Sequence, residues 1–344
     1  MEAGRTALVT MTRIALIKLS SLGDVVHALP VAATLRARVP DAHLTWIVER
    51  REAAVLRDHP AIDTLVAVDT RRWRRARGLR DLADVVDAVR QMRRRLRAAA
   101  FDVALDLQGL LKSGVLAAAT RAPLRIGFAA RSCREPLNVL FTNHRVEPPA
   151  AAHHVVDQHL ALLEPLHVTD PVREFRLPVD PAADARANAF LRACGLAPGQ
   201  RLVILNPGAG RPAKRWPEER FRALADRLSE DIGALVLVVW GPGEESTGRY
   251  IAPGGAGRAV FGPPTNLDEL VAFLRRAHVL VAGDTGPLHL AAALGTPCVG
   301  LYGPTSAVRN GPYGSGHRCL QGPGGQVTTI EVDGVLHAVT DLLA

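Results

Sequence analysis

The 344-residue chain predicts an α/β protein made of two doubly wound parallel-sheet domains. Short apolar runs alternate with helical stretches, which is the pattern of parallel βαβ units. The alternation occurs twice, on either side of Pro-containing sequence (DPVREFRLPVDP) within residues 165–181 that reads as a linker. A first domain over 1–170 and a second over 171–326 follow from this, with a closing helix over 327–344 free to pack back on the first domain.

In the first half, residues 14–19 (IALIKL) read as a buried strand that runs into the polar turn Ser20-Ser21-Leu22-Gly23-Asp24 before a helix. Further strands are expected at 44–48, 65–68, 103–107 and 125–128. The fourth ends in Asp106-Leu107-Gln108-Gly109, with Lys112 just inside the next helix, and RSCREPLN at 131–138 is a loop carrying Arg131, Arg134 and Glu135. His153, His154, Asp157 and His159 do not suggest a metal. Their histidine spacings of five and six residues miss a common helix face, so they read as solvated helix residues.

The second half predicts strands at 202–205, 235–240, 259–261, 279–282 and 298–302, with helices between them such as 217–231 and 266–276. Within it, residues 278–305 (HVLVAGDTGPLHLAAALGTPCVGLYGPT) make a compact strand, turn, helix, strand unit. Thr285 stands where an N-cap is needed, Pro287 suits the first turn, and Gly295 is placed to end the helix. An amphipathic segment at 330–343 closes the chain.

A hydrophobic content of 48% and a charged content of 22% are those of a soluble globular protein. The longest clean apolar stretch, 234–240, is seven residues, against the roughly 20 a membrane helix needs. The opening MEAGRTALVTMTR lacks the apolar core and cleavage site of an export signal, so a cytoplasmic protein is expected; strand-like sequence begins only at Ile14, so the first ten residues read as a disordered extension or a misassigned start, with Met11 the natural beginning in the latter case. Cys133, Cys194, Cys298 and Cys319 show no CxxC or zinc-type spacing and read as reduced bystanders.

The net charge of +8 is concentrated: residues 71–97 hold eleven arginines against three aspartates, a local excess equal to that of the whole chain. Arginine forks bind phosphate and carboxylate oxygens, so the segment points to an acidic partner: nucleic acid, an anionic membrane surface or a phosphorylated substrate. The run at 90–97 reads better as a solvated helix face. RRWRR at 71–75 follows a strand, where binding loops lie, and is assigned a binding role.

Polar turns at strand ends on two such domains would meet across a cleft where a donor and an acceptor could bind. The second domain has phosphate-type features: Asn206-Pro207-Gly208-Ala209-Gly210 allows close backbone approach to an oxyanion, and Lys214 can neutralise a leaving diphosphate. Glu244 or Glu245 could hold ribose or base. Asp284, Thr285, Gly286 and His289 lie where a strand meets a helix N-terminus, although Asp284 alone also fits a capping turn. No GxxxxGK[ST] or GxGxxG element appears, which disfavours a P-loop ATPase and an ordinary NAD enzyme, and no DxD pair appears to grip a metal-diphosphate.

IALIKLSSLGDVVHALP at 14–30, DLQGLLKSG at 106–114, NPGAGRPAKRWPEERF at 206–221 and GDTGPLHLAAALGTPCVGLYGPT at 283–305 resemble the ADP-heptose:lipopolysaccharide heptosyltransferases of glycosyltransferase family 9. The resemblance covers nearly the whole chain. It implies the GT-B fold of two Rossmann-like domains, an inverting reaction without a metal or other cofactor, ADP-L-glycero-D-manno-heptose as donor, and peripheral contact with the cytoplasmic face of the inner membrane. RRWRR and REPL at 134–137 are similar to the type I enzymes, which use Kdo on lipid A as acceptor, whereas GRPAKRWP is closer to the type II enzymes that add a second heptose. Asp24 then resembles the general base. Lys214, the 206–210 loop, Thr285 and Gly286 would stabilise the departing diphosphate, Asp284 and His289 would orient the donor, and Glu244 or Glu245 would contact the nucleoside. Arg71, Arg72, Arg74, Arg75 and Arg134 would receive the anionic acceptor, helped by Lys18, Ser20, Ser21, Gly23, Gln108 and Lys112.

A nucleic-acid-binding protein using the arginine segment is the reading of a different class. Trp73 is the only aromatic within RRWRR and no recognised nucleic-acid module is present, so nucleic acid is not expected as a partner. A GT-B-like sugar epimerase is the alternative among enzymes.

Overall fold

The structure, a computed structural model, describes residues 12–70, 79–254 and 259–344. The described chain divides into two compact units, Met1–Arg176 and Leu177–Ala344. In the first, β1 (Arg13–Ile17), β2 (His43–Glu49), β3 (Thr64–Val68), β4 (Val103–Asp106), β5 (Leu124–Phe128) and β6 (His144–Val146) form one sheet in the order β3-β2-β1-β4-β5-β6. Every pairing is parallel. Among the described residues the helices of this unit are α1 (Leu22–Val26), α2 (Leu29–Arg38), α3 (Leu79–Ala98), α4 (Leu111–Thr120) and α5 (Val155–Ala161). Residues 71–75, and with them Arg71, Arg72, Arg74 and Arg75, lie outside the described residues.

The second unit repeats the plan. β7 (Leu202–Asn206), β8 (Leu235–Val238), β9 (Val260–Phe261), β10 (Val279–Gly283), β11 (Cys298–Tyr302) and β12 (Arg318–Gln321) form a parallel sheet in the order β12-β11-β10-β7-β8-β9. Numbered within its own unit this is the same order as the first sheet, the doubly wound arrangement of dinucleotide-binding folds. Its helices are α6 (Pro181–Ala193), α7 (Glu218–Glu230), α8 (Glu245–Ile251), α9 (Leu267–Leu274), α10 (Gly286–Ala293), α11 (Ala307–Asn310) and α12 (Val332–Leu343). Central strands are buried on both faces, as their unbroken apolar runs require.

Sequence reasoning missed β6 and β12. Both are edge strands with exposed positions, HRV and RCLQ, so neither carries an apolar run. On α3 the arginines at 90, 93, 94, 95 and 97 are all exposed while Leu96 is buried and Met92 packs beneath it, so the run is a solvated face.

The closing helix corrects an expectation. Rather than crossing to the first domain, α12 packs on α7, β10 and β11 of its own unit, and Val335 and Val339 are fully buried in that unit's core. The physical reason is the anchoring of the approach to the helix: Trp216 Nε1 donates to Ile330 O at 2.8 Å, and Arg201 donates to Leu343 O at 3.0 Å. Val335→Asp would bury an unpaired carboxylate there, at a cost on the order of 3 kcal/mol or more. Limited proteolysis of this variant is expected to leave the 1–176 unit intact and cut the second; equal resistance of both units would contradict the packing.

Candidate active site

In a doubly wound sheet, the connections on either side of the first strand leave in opposite directions and open a crevice beyond the strands' carboxyl ends. In the first unit this falls between β1 and β4. β1 delivers Ser20 and Ser21, and α1 begins at once, so that Asp24 lies in its first turn. The Asp24 carboxylate accepts hydrogen bonds from Ser21 N–H and Ser21 Oγ, both at 2.8 Å. Asp24 therefore serves as an N-terminal helix cap while remaining partly exposed.

Across the crevice, Gln108 spends its whole side-chain amide on the β1 turn. Oε1 accepts from Leu19 N at 2.8 Å and Ser20 N at 3.3 Å, and Nε2 donates to Ser20 O at 2.7 Å. The turn that carries Gln108 is fixed in turn by Asp106. This fully buried carboxylate accepts from Gln108 N (2.9 Å), Gly109 N (3.2 Å), Ser113 Oγ (2.9 Å) and Asn138 Nδ2 (2.6 Å). Burial raises its pKa, and these neutral donors do not reverse the shift. A raised carboxyl contributes stability that is present at low pH and is lost as pH rises through its folded value.

The remaining acceptor-side residues divide. Lys18 is buried, with Nζ donating to Leu107 O at 2.8 Å and lying 3.1 Å from His159 Nε2. It braces β1 against β4 and α5, and its ammonium faces the interior. His159 is likewise buried, a correction to its reading as a solvated residue, and its signal in the sequence was only a place on an apolar helix face. Lys112 lies 3.8 Å from the buried Glu49 carboxylate, which also holds Thr70 N–H and hydroxyl. Gly23 is buried and Arg134 is exposed next to the Gly109 turn.

In the second unit the crevice lies between β7 and β10. Asn206 stitches the two turns together, donating from Nδ2 to Gly208 O at 3.3 Å and to Thr285 Oγ1 at 3.4 Å. Thr285 occupies the N-cap position, but its hydroxyl donates back to Gly283 O at 3.1 Å and does not cap the helix. The N–H groups that begin α10 thus face the crevice without a side-chain cap from Thr285, a ready site for anionic oxygen.

Asp284 stands between two basic side chains: Lys214 Nζ donates to Oδ2 at 2.5 Å, and His289 Nε2 lies 3.1 Å from Oδ1. Burial would raise this carboxyl, but the hydrogen bonds and charges of His289 and Lys214 outweigh it and hold the group well below the usual carboxylate range.

Glu244 and Glu245 diverge. Glu244 turns inward, accepting from Gly241 N at 2.9 Å, and a Cβ at Gly208 would come within 1.9 Å of its Oε2. Gly208 is the close approach that lets the 206–210 loop lie against Glu244. Glu245 instead pairs with Arg249 at 2.8 Å on exposed α8 and is not brought to the turn. Beside Glu244, Trp240 stacks on Phe261 with ring centroids 5.5 Å apart, an aromatic wall that was not singled out in the sequence. Among the described residues no cluster of three metal-ligating side chains occurs.

Two six-stranded, doubly wound parallel sheets of the same strand order are the plan of the GT-B class of glycosyltransferase fold. The particular family follows from comparison with known proteins. The sequence profile of glycosyltransferase family 9 (heptosyltransferase) matches residues 89–330. Lipopolysaccharide heptosyltransferase 1 of Escherichia coli strain K12 is 30% identical over 331 residues, covering 96% of this chain and 100% of that protein. The Pseudomonas aeruginosa protein of the same name is 33% identical over 307 residues, covering 88% and 81%. The solved structure of E. coli heptosyltransferase WaaC with ADP-2-deoxy-2-fluoro heptose superimposes with a TM-score of 0.76 at 28% identity, covering 96% of this chain and 99% of that one. The chain belongs to glycosyltransferase family 9.

Replacing Lys214 by Met removes one of the two basic partners of Asp284, so the carboxyl pKa should rise towards its ordinary value. For a depressed carboxyl, stability is present above the ordinary value and is lost as pH falls through the folded one. The variant is therefore expected to begin acid unfolding at higher pH than wild type. An unshifted acid limb, together with an unchanged Asp284 signal in a carboxyl NMR titration, would show that Lys214 does not hold this group.

Proposed function

We propose that the protein is a type I heptosyltransferase of the lipopolysaccharide inner core. It transfers L-glycero-D-manno-heptose from ADP-heptose to a Kdo hydroxyl of Kdo-lipid A, with inversion and without a metal. The Lys214–Asp284–His289 constellation beside the Gly208 loop carries the donor side of the reading, because it offers fixed backbone donors and a cation where diphosphate charge would develop. The full-length similarity to heptosyltransferase 1 proteins supports the type I acceptor over the type II alternative.

In this mechanism the acceptor hydroxyl oxygen attacks the anomeric carbon from the face opposite the diphosphate. The carbon–oxygen bond to the diphosphate breaks, its electron pair leaves on ADP, and Asp24 takes the hydroxyl proton. Lys214, the 206–210 loop with Asn206, Gly208, Ala209 and Gly210, and the N–H groups of Thr285 and Gly286 stabilise the departing charge. Asp284 holds Lys214 and His289 in place, and Glu244 meets the nucleoside. On the acceptor side, Arg71, Arg72, Arg74, Arg75 and Arg134 receive the carboxylates and phosphates, and Gln108 fixes the turn that carries Ser20, Ser21 and the base. The enzyme works at the cytoplasmic face of the inner membrane as a peripheral protein. No helix among the described residues is long and apolar enough to cross one.

Incubation with ADP-heptose and Kdo-lipid A, read by mass, tests the reaction directly. A product heavier by one heptose is expected, and ADP-heptose left intact beside unmodified acceptor would reject it.

Asp24 is both cap and proposed base, and two substitutions separate the roles. Asparagine keeps an oxygen that can accept from Ser21 N–H, whereas alanine loses the cap as well, at a cost of about 0.5–2 kcal/mol. Both are expected to lower kcat by roughly 10² to 10⁴, with only the alanine variant losing stability. Near-normal turnover by Asp24→Asn would confine Asp24 to capping.

For the arginine segment, Arg72→Ala/Arg75→Ala should raise the acceptor KM and leave the donor KM nearly unchanged. Charge-assisted contacts are worth about 1.5–3 kcal/mol each, so acceptor kcat/KM should fall by roughly 10² or more. A loss that vanishes in moderate salt would mark the segment as screened surface charge.

A further inference from the structure

Among the described residues, half of the large hydrophobic side chains that are exposed fall within thirty residues of one another in sequence. Leu111 is 39% exposed, Val115 52%, Leu137 62% and Leu140 72%, while Val86, Val179, Tyr250 and Val308 are scattered elsewhere. Leu111 and Val115 are four apart on α4 and share a face. Leu137 and Leu140 are three apart on the 3₁₀ turn Pro136–Leu140, where that spacing also aligns side chains. The two segments are packed together. A Cβ at Gly114 would lie 2.7 Å from the Phe141 ring and 2.8 Å from Asn138 Nδ2, so α4 presses directly on the 136–141 segment. Leu111 N also donates to Glu135 Oε2 at 2.6 Å.

The apolar core of the unit lies on the sheet, and these side chains point away from it. Exposed apolar side chains gathered on two touching segments mark an interaction site. Its setting is basic: Arg145 Nη2 donates to Val139 O at 3.1 Å, which holds a guanidinium against the same 3₁₀ turn, and Arg134 is exposed two residues before Pro136. The one acid among these residues, Glu135, is tied to the N-terminus of α4. Aliphatic side chains fringed by guanidinium groups match an anionic lipid surface, whose apolar boundary takes the former and whose phosphates take the latter. The patch also sits at the carboxyl end of the sheet, since α4 follows β4 and the 3₁₀ turn follows β5, the same end as the Ser20–Asp24 turn.

We propose that Leu111, Val115, Leu137 and Leu140, with Arg134 and Arg145 beside them, dock the first unit on an anionic bilayer. The choice of a bilayer over another occupant rests on the charge fringe and, in part, on the reading of the acceptor as lipid-borne. Docking there would bring a headgroup-level sugar to the first unit's crevice without a membrane-spanning segment.

The test is flotation of the full chain with phosphatidylethanolamine vesicles containing phosphatidylglycerol, and with neutral phosphatidylcholine vesicles, in the absence of any sugar substrate. Wild type should float with the anionic vesicles. Leu137→Gln/Leu140→Gln should weaken that binding roughly tenfold or more, and Arg145→Gln should weaken it less and only for anionic lipid. These side chains are exposed, so the melting temperature and turnover of a water-soluble, acyl-free Kdo acceptor should be unchanged. Wild type failing to float, or the double variant floating as wild type does, would overturn the proposal. So would a dimer that the double substitution dissociates while flotation stays unaffected, because the patch would then join two copies of the chain. Loss of turnover on the soluble acceptor with wild type would strike the transfer reading and leave the flotation result standing.

Discussion

Two strands whose connections leave in opposite directions are not bridged by their own loops, and side-chain amides close that gap in each sheet. Gln108 holds the Ser20 peptide from both sides, and Asn206 joins the Gly208 and Thr285 turns. An amide suits this position because it donates and accepts at once and brings no net charge. The two bridging amides are thus neutral, while the charged groups stand around them: Lys18, Asp24 and Asp106 in the first unit, and Lys214, Asp284 and His289 in the second. Burial of Asp106 beneath Gln108 extends the same logic one layer deeper, as four neutral donors orient a carboxylate that in turn orients the amide.

The contrast between Asp106 and Asp284 shows what decides the state of a buried carboxyl. Both lose solvation. Asp106 receives only dipoles, and burial prevails; Asp284 receives basic side chains on both oxygens, and the opposite outcome follows. Such a pair at the mouth of the second crevice is costly to assemble in a low-dielectric setting unless it later meets further charge. A diphosphate entering beside it would find Lys214 already held in position, with less side-chain entropy left to lose.

Much of this was legible in the sequence because parallel strands are apolar throughout and their ends are marked by glycine and polar residues. The central strands and the turns at 20–24, 106–109, 206–210 and 283–286 all stood out in that way. What the sequence concealed were features set by tertiary contact. Lys18 and Lys112 look alike in a string of letters, yet one ammonium is buried against Leu107 O and His159 and the other lies at the rim near Glu49. Glu244 and Glu245 are neighbours, and helical geometry sends them in different directions. Edge strands β6 and β12 carry no apolar run because most of their side chains are exposed, whereas β3, equally at an edge, is largely covered and keeps its apolar run.

The seating of α12 has a consequence for the order in which the two units can form. All six strands of the first sheet, the α5 helix that braces Lys18, and the last buried side chains of that unit, Leu166 and Phe175, have been synthesised by residue 176. The second core is different, because Val335 and Val339 are part of it and Trp216 is anchored through Ile330. At about 5–20 residues per second, a ribosome separates those two points by on the order of ten seconds or more. During that interval one half of the nascent chain has its complete set of core residues, whereas the other presents an open apolar face to whatever chaperone is nearest the exit tunnel.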